Sequence, residues 1–361
     1  MMGRAVAWWV LLSVASGCGD GGASPSGSNG GSTSGGAMAS GAAPADGGTG
    51  AGGGSSGMGG GGSGMGGGSS GMSGAGDGCR GDVTINSPKS IQELAGVTCA
   101  RRLLVANSTL VTLEGLESLT KLSSLVVGWT PPQSFDADGN QVLESLKGLE
   151  GLRDVGLIHI EANPKLVDLT ALSGLTELSG SLDIIDNATL ASLEGLHNLS
   201  ETGDVEISAN PLLVDLQGLR GLTELNSLVL EWCPLIKNFK GLERVRFFGS
   251  WDSSISSNAA LEDFTGLTAV TSIGNHLSVA NNPVLKSFDG FDSLTRLAWT
   301  FSVRGNPELT SIAGLAGVTE VRSDISFKDN PKLPSCAVDA WVTGLAKTCD
   351  CAGNDDLASC Q

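Results

Sequence analysis

Apolar residues recur at every third position through residues 210–233: Leu213, Leu216, Leu219, Leu222, Leu225 and Leu228, before the step shortens to two at Leu230. An α-helix turns about 100° per residue, so a step of three drifts by about 60° each time and smears the leucines around the helix. A strand needs a step of two. The three-residue step fits neither. It fits a coil of chain that turns its corners inward and ends in a short strand over 228–230. One such coil cannot bury its own apolar edge, so it must stack on copies of itself.

The copies are present. Aligned on the residue that closes each strand, they begin at Asn107, Asn140, Asn163, Asn187, Asn210, Cys233, Asn258, Asn282, Asn306 and Asn330. A leucine or isoleucine stands three residues later. A glycine stands eight residues after each of the first nine, with Ala171 the one substitute. The strands alternate, as in Ile158/Ile160, Leu182/Ile184, Val205/Ile207, Leu277/Val279 and Ile325/Phe327, which points two apolar side chains inward per coil. The asparagine is placed to bond backbone groups that a sharp corner leaves unpaired. Prolines follow the corner residue where no amide hydrogen is needed. Stacking of such coils predicts a parallel β-solenoid.

Segments such as GSLDIIDNATL, GDVEISANPLL and DISFKDNPKL resemble bacterial leucine-rich repeats, more closely those of the receptor L-domain type, over residues 79–361. The resemblance implies a right-handed parallel β-solenoid. Such repeats admit cysteine at the ladder position, so Cys233 is expected to be a buried free thiol.

The termini and the charge change the picture. Residues 1–17 carry one basic residue, Arg4, an apolar run over 5–14 and small residues 15–17 before Cys18. The run is too short to span a bilayer. This resembles a bacterial lipoprotein signal with Cys18 as the lipidated residue, although Ala15 stands where that family prefers leucine. An ordinary secretory signal is the alternative. Residues 18–78 are almost wholly Gly, Ser, Ala and Met and are expected to form a disordered tether. As a Gly/Ser coil, its span would be roughly 40–45 Å. Residues 79–106 read as an N-terminal cap, 107–330 as the repeat array and 331–361 as a cysteine-rich C-terminal cap. A Cys79–Cys99 disulfide is expected in the first cap. Cys336, Cys349, Cys351 and Cys360 permit three pairings, of which Cys336–Cys349 with Cys351–Cys360 is favoured because a Cys349–Cys351 bridge looks strained. Zinc is the alternative for this cluster. A short amphipathic helix is predicted over 337–347, with Val338, Trp341 and Leu345 on one face.

The net charge of −17 argues against nucleic acid or an anionic membrane surface as partner. The three histidines fall in different coils, with no nucleophile motif, phosphate loop or CxxC pair, so catalysis is not expected and neither is a cofactor. Asp136, Asp138 and Asn140 form a weak calcium candidate. The outward strand positions hold His159, Glu161, Asp183, Asp204, Glu206 and Glu231, with Trp232 next to them, followed by Ser254, Ser278, Ser302 and Ser326. This face is a candidate surface for a protein or glycan ligand; simple solubilisation of the strand edges is the alternative. The expected function is a lipid-anchored cell-envelope binding protein. A structural or adhesive spacer and an enzyme accessory or inhibitor subunit are the rivals.

Overall fold

A computed structural model describes residues 78–128, 139–249, 251–297 and 299–360. Cys18, Asp136 and Asp138 lie outside the described residues. The described chain winds into a parallel β-solenoid of about 11 turns. Its long sheet holds twelve strands in sequence order: β1 (Arg80–Ile85), β2 (Cys99–Val105), β3 (Lys121–Gly128), β4 (Asp154–Glu161), β5 (Leu182–Ile185), β6 (Asp204–Ser208), β7 (Ser227–Glu231), β8 (Ser253–Ser256), β9 (Leu277–Ala280), β10 (Phe301–Arg304), β11 (Ile325–Lys328) and β12 (Cys349–Ala352). A second sheet of two-residue strands, Glu224–Leu225 through Glu320–Val321, runs beside β7 to β11.

The alternation becomes two columns of inward side chains. One runs Leu103, Leu125, Ile158, Leu182, Val205 and Leu228, and continues as Leu277, Phe301 and Ile325. The other runs Val105, Val127, Ile160, Ile184, Ile207, Leu230, Ile255, Val279, Val303 and Phe327. The three-step leucines fill the rest of the interior; Leu213, Leu216, Leu219 and Leu222 are all fully buried. Towards the C-terminus phenylalanine replaces leucine at one of these positions. Phe239, Phe264 and Phe288 stack with ring centroids 5.3 and 4.9 Å apart, a spacing set by the rung spacing of about 4.8 Å.

The corner asparagines are fully buried and bond from rung to rung. Asn163 donates from Nδ2 to Val127 O and to Asn187 Oδ1, while the backbone N–H of Asn163 donates to that same Asn187 oxygen at 3.2 Å. The pattern continues through Asn306, Asn330 and Asn354. Cys233 takes its place in the ladder: its N–H donates to Asn258 Oδ1, and burial pushes its thiol up to about 11. It is a free, buried cysteine. At the first rung the sequence alignment is one residue out. Asn107 is exposed with φ 49°, and Ser108 stands in the ladder, its N–H donating to Asn140 Oδ1. A residue in the left-handed region precedes the ladder position in most coils, including Ala162, Asp186, Ala209, Trp232 and Ser257.

Both ends are closed covalently. Cys79 and Cys99 are bonded. At the other end the pairing is Cys336–Cys360 and Cys349–Cys351, not the Cys336–Cys349 and Cys351–Cys360 expected from sequence. Register supplies the reason. Cys349 aligns with Ile325 and Cys351 with Phe327, so the two thiols occupy both inward positions of the last rung. Side chains two apart on a strand share a face, and these Cα atoms lie 5.2 Å apart, within disulfide reach. Cys336 is left near the C-terminal segment. It is the second residue of the helix Ser335–Gly344, which starts two and ends three residues earlier than predicted. Val338 and Val342 are buried beneath it, and Trp341 packs edge-on against Phe301 and Phe327 while donating from Nε1 to Leu315 O. The last rung is therefore covered by a tryptophan and a sulfur bridge.

Candidate functional site

The outward positions of the long sheet form columns as regular as the inward ones. His159 on β4, Asp183 on β5 and Glu206 on β6 are partners in one column, which continues as Val229, Ser254, Ser278, Ser302 and Ser326. The next column holds Glu161, Ile185, Ser208 and Glu231, then Ser256, Ala280, Arg304 and Lys328. Asp204 precedes these columns, paired with Ser227. Residues more than twenty apart in sequence are thus adjacent because parallel stacking repeats each side-chain direction.

His159 is clasped by its neighbours. Its Nε2 lies 2.8 Å from Glu161 Oε2 and its Nδ1 lies 3.3 Å from Asp183 Oδ2. Burial disfavours the charged ring, but the hydrogen bonds to Asp183 and Glu161, with their charges, outweigh it. The ring is pushed up to about 9 and is an imidazolium at neutral pH. One rung further, burial and then the charge of Asp183 raise the Glu206 carboxyl above its ordinary value.

Four of these carboxylates each receive a serine hydroxyl. Ser181 donates to Asp183 at 3.0 Å, Ser227 to Asp204 at 2.8 Å, Ser208 to Glu206 at 3.2 Å and Ser254 to Glu231. Each is therefore held in one orientation with acceptor capacity remaining. Glu231 is buried, and its carboxylate accepts from the Ser254 hydroxyl on the next rung. Trp232 stands at the left-handed corner after β7, half exposed, and is not among the residues that line the groove over Asp183, Asp204 and Glu206.

A shallow groove of about 560 Å³ lies over Asp183, Asp204 and Glu206. Its wall is made by Trp251, Asp252, Asn275 and His276, which sequence reasoning did not select. The signal was there in the coil lengths. Leu225 to Leu228 spans three residues, while the aligned Phe248 to Ser253 spans five; the longer excursion carries Trp251 outward. Asn275 donates from Nδ2 to Asp252 Oδ1 at 2.9 Å, tying two successive coils together at the rim.

The calcium candidate loses one ligand. Asn140 is fully buried, accepts from Ser108 and donates to Val105 O and Asn163 Oδ1, so its amide is committed to the ladder. No group of three or more His, Cys, Asp or Glu side chains among the described residues converges as a metal site. No protein-family model matches the sequence, and no curated protein matches it at a significant level.

Proposed function

We propose that this chain is an exported, lipid-anchored cell-envelope protein that recognises another protein or a surface polymer through its strand face, without turnover. In this reading the coil is of the right-handed leucine-rich-repeat, receptor L-domain-like kind. The twelve-stranded parallel sheet, the buried asparagine ladder and disulfide-closed ends support it. Residues 1–17 act as the signal, Cys18 carries the lipid and 18–78 form the tether. Three disulfides favour an oxidising compartment. Labelling of the exported protein with a radioactive fatty acid, lost in Cys18→Ala, tests the anchor; label retained in that variant excludes it.

The observation that carries the binding reading is the set of serine-oriented carboxylates on adjacent rungs beneath one groove. Solubilising a strand edge requires charge but not fixed orientation. Capture from envelope extracts by the full chain tests the reading. A saturable partner that is lost when Asp183→Asn and Glu206→Gln are combined supports it. Capture unchanged by that pair removes it.

The regular stack of twelve strands favours a second reading, a structural spacer or adhesive element. That role predicts non-saturable, multivalent association with envelope material in the same experiment.

A further inference from the structure

We infer that the groove beside the acidic rungs is a carbohydrate subsite, and that its ligand is a β-linked oligosaccharide without net charge. The inference rests on the binding reading above and names its ligand class.

Trp251 is 63 % exposed. A single exposed aromatic needs no explanation, but this one forms the wall of the groove and is carried there by a lengthened coil. Counting back two residues from the paired Ser253, Leu277 and Phe301 aligns 251, 275 and 299, and the Trp299 N–H donates to Asn275 O. Trp299 is 57 % exposed at that position, two coils on. Two rungs separate the tryptophans by about 9.6 Å of sheet, comparable to two rings of an extended β-linked chain. Asn275 lies between them, its amide fixed by Asp252.

A pyranose offers a flat face of C–H groups and a rim of hydroxyls. Indole rings present a matching apolar face. Carboxylates make strong, directional acceptors for hydroxyl donors. Asp183 and Glu206 are the acceptors here, already oriented by serines.

Charge decides between a sugar and the other occupants an acidic groove suggests. A basic peptide would satisfy Asp183 and Glu206 and stack a cation on Trp251. Continuing along the sheet, however, it would leave the carboxylates for serines, with Arg304 and Lys328 in the neighbouring column paired to Asp329 and Asp350. An anionic polymer would meet Asp183, Asp204 and Glu206 first. The column of Asp183 and Glu206 itself continues as Ser254, Ser278, Ser302 and Ser326, a neutral trough of hydroxyls. An uncharged chain with hydroxyls matches both the carboxylates and the serines.

Calorimetric titration of the full chain tests the inference, with a neutral panel (β-linked hexamers of glucose, mannose, xylose and N-acetylglucosamine), hexagalacturonate and hexalysine as probes. At least one neutral hexamer is expected to bind, with the tryptophan emission shifted to the blue. Trp251→Ala should weaken that binding by about tenfold or more and Trp299→Ala by less. Both side chains are exposed, so the melting temperature of each variant should stay that of the parent. Failure of the whole neutral panel at millimolar concentration overturns the inference, as does unchanged affinity in Trp251→Ala. Tighter binding of hexalysine or hexagalacturonate also overturns it. If the panel fails while Asp183 and Glu206 still govern capture from envelope extracts, the carbohydrate assignment falls and the binding reading stands. If both fail, both fall.

Discussion

His159 shows what a single residue gains from the stack. Its ring is charged at neutral pH because Glu161 lies on its own strand and Asp183 on the next. In the unfolded chain it returns to about 6.5. A folded pKa raised above the unfolded one gives stability that is complete below 6.5 and is lost as pH rises through about 9. The contribution is at most about 3 kcal/mol. Glu206, also raised, acts in the same sense, but its contribution begins to be lost from its ordinary value of 4.5 upward. The melting temperature should therefore fall between pH 6.5 and 9. His159→Gln should flatten that slope; an unchanged slope refutes the assignment.

Asn258 supports a second prediction. Its amide donates to Leu230 O and Asn282 Oδ1 and accepts from Cys233 N–H, all in the interior. Asn258→Ala leaves these groups without partners and should cost about 2–4 kcal/mol in urea unfolding. The ladder was legible because asparagine recurs at fixed spacing. Its first member was not, because Asn107 and Ser108 are adjacent polar residues and only the strand register shows that the hydroxyl takes the buried place. Trp232 was selected as an outward aromatic next to a strand, but alternation does not reveal where a left-handed corner rotates the chain.

At the scale of one coil, the recurring glycine has a steric cause. Gly290 has φ 112°, and a Cβ there would stand 2.1 Å from Phe264 O of the preceding coil. Gly290→Ala should destabilise by about 3 kcal/mol or more, read as a lower urea midpoint at unchanged slope. The closing rung is a second coil-scale case. Sequence spacing made a Cys349–Cys351 bridge look unfavourable, because spacing alone does not say that both residues continue the inward columns. Non-reducing peptide mapping should recover Cys336 joined to Cys360 and Cys349 joined to Cys351. Recovery of Cys336 with Cys349 would reject this end of the structure. The coil's inward residues were readable from the three-step pattern because each rung repeats the same geometry. The groove wall was not, since it depends on two additional residues before Ser253 whose direction only the neighbouring coils determine.

Across the whole molecule, every statement about the outer face depends on register. Parallel stacking one coil apart makes a column of His159, Asp183 and Glu206, a trough of serines and a pair of tryptophans. A shift by one residue would exchange the inner and outer faces. Exposed ion pairs between rungs, such as Lys286 with Glu262 and Arg220 with Glu194, follow the same register but contribute little to holding it. Burial of the leucine and phenylalanine columns holds it. The most direct test is a cysteine pair across β9 and β10. Ser278 and Ser302 are register partners on the outer face, and neighbouring strands lie about 4.8 Å apart, within disulfide reach. With Ser278→Cys and Ser302→Cys combined, mild oxidation should join the two residues. With Ser278→Cys and Val303→Cys no bond should form, because Val303 points inward. A bond in the second pair, or none in the first, would contradict the stacking from which the face is built.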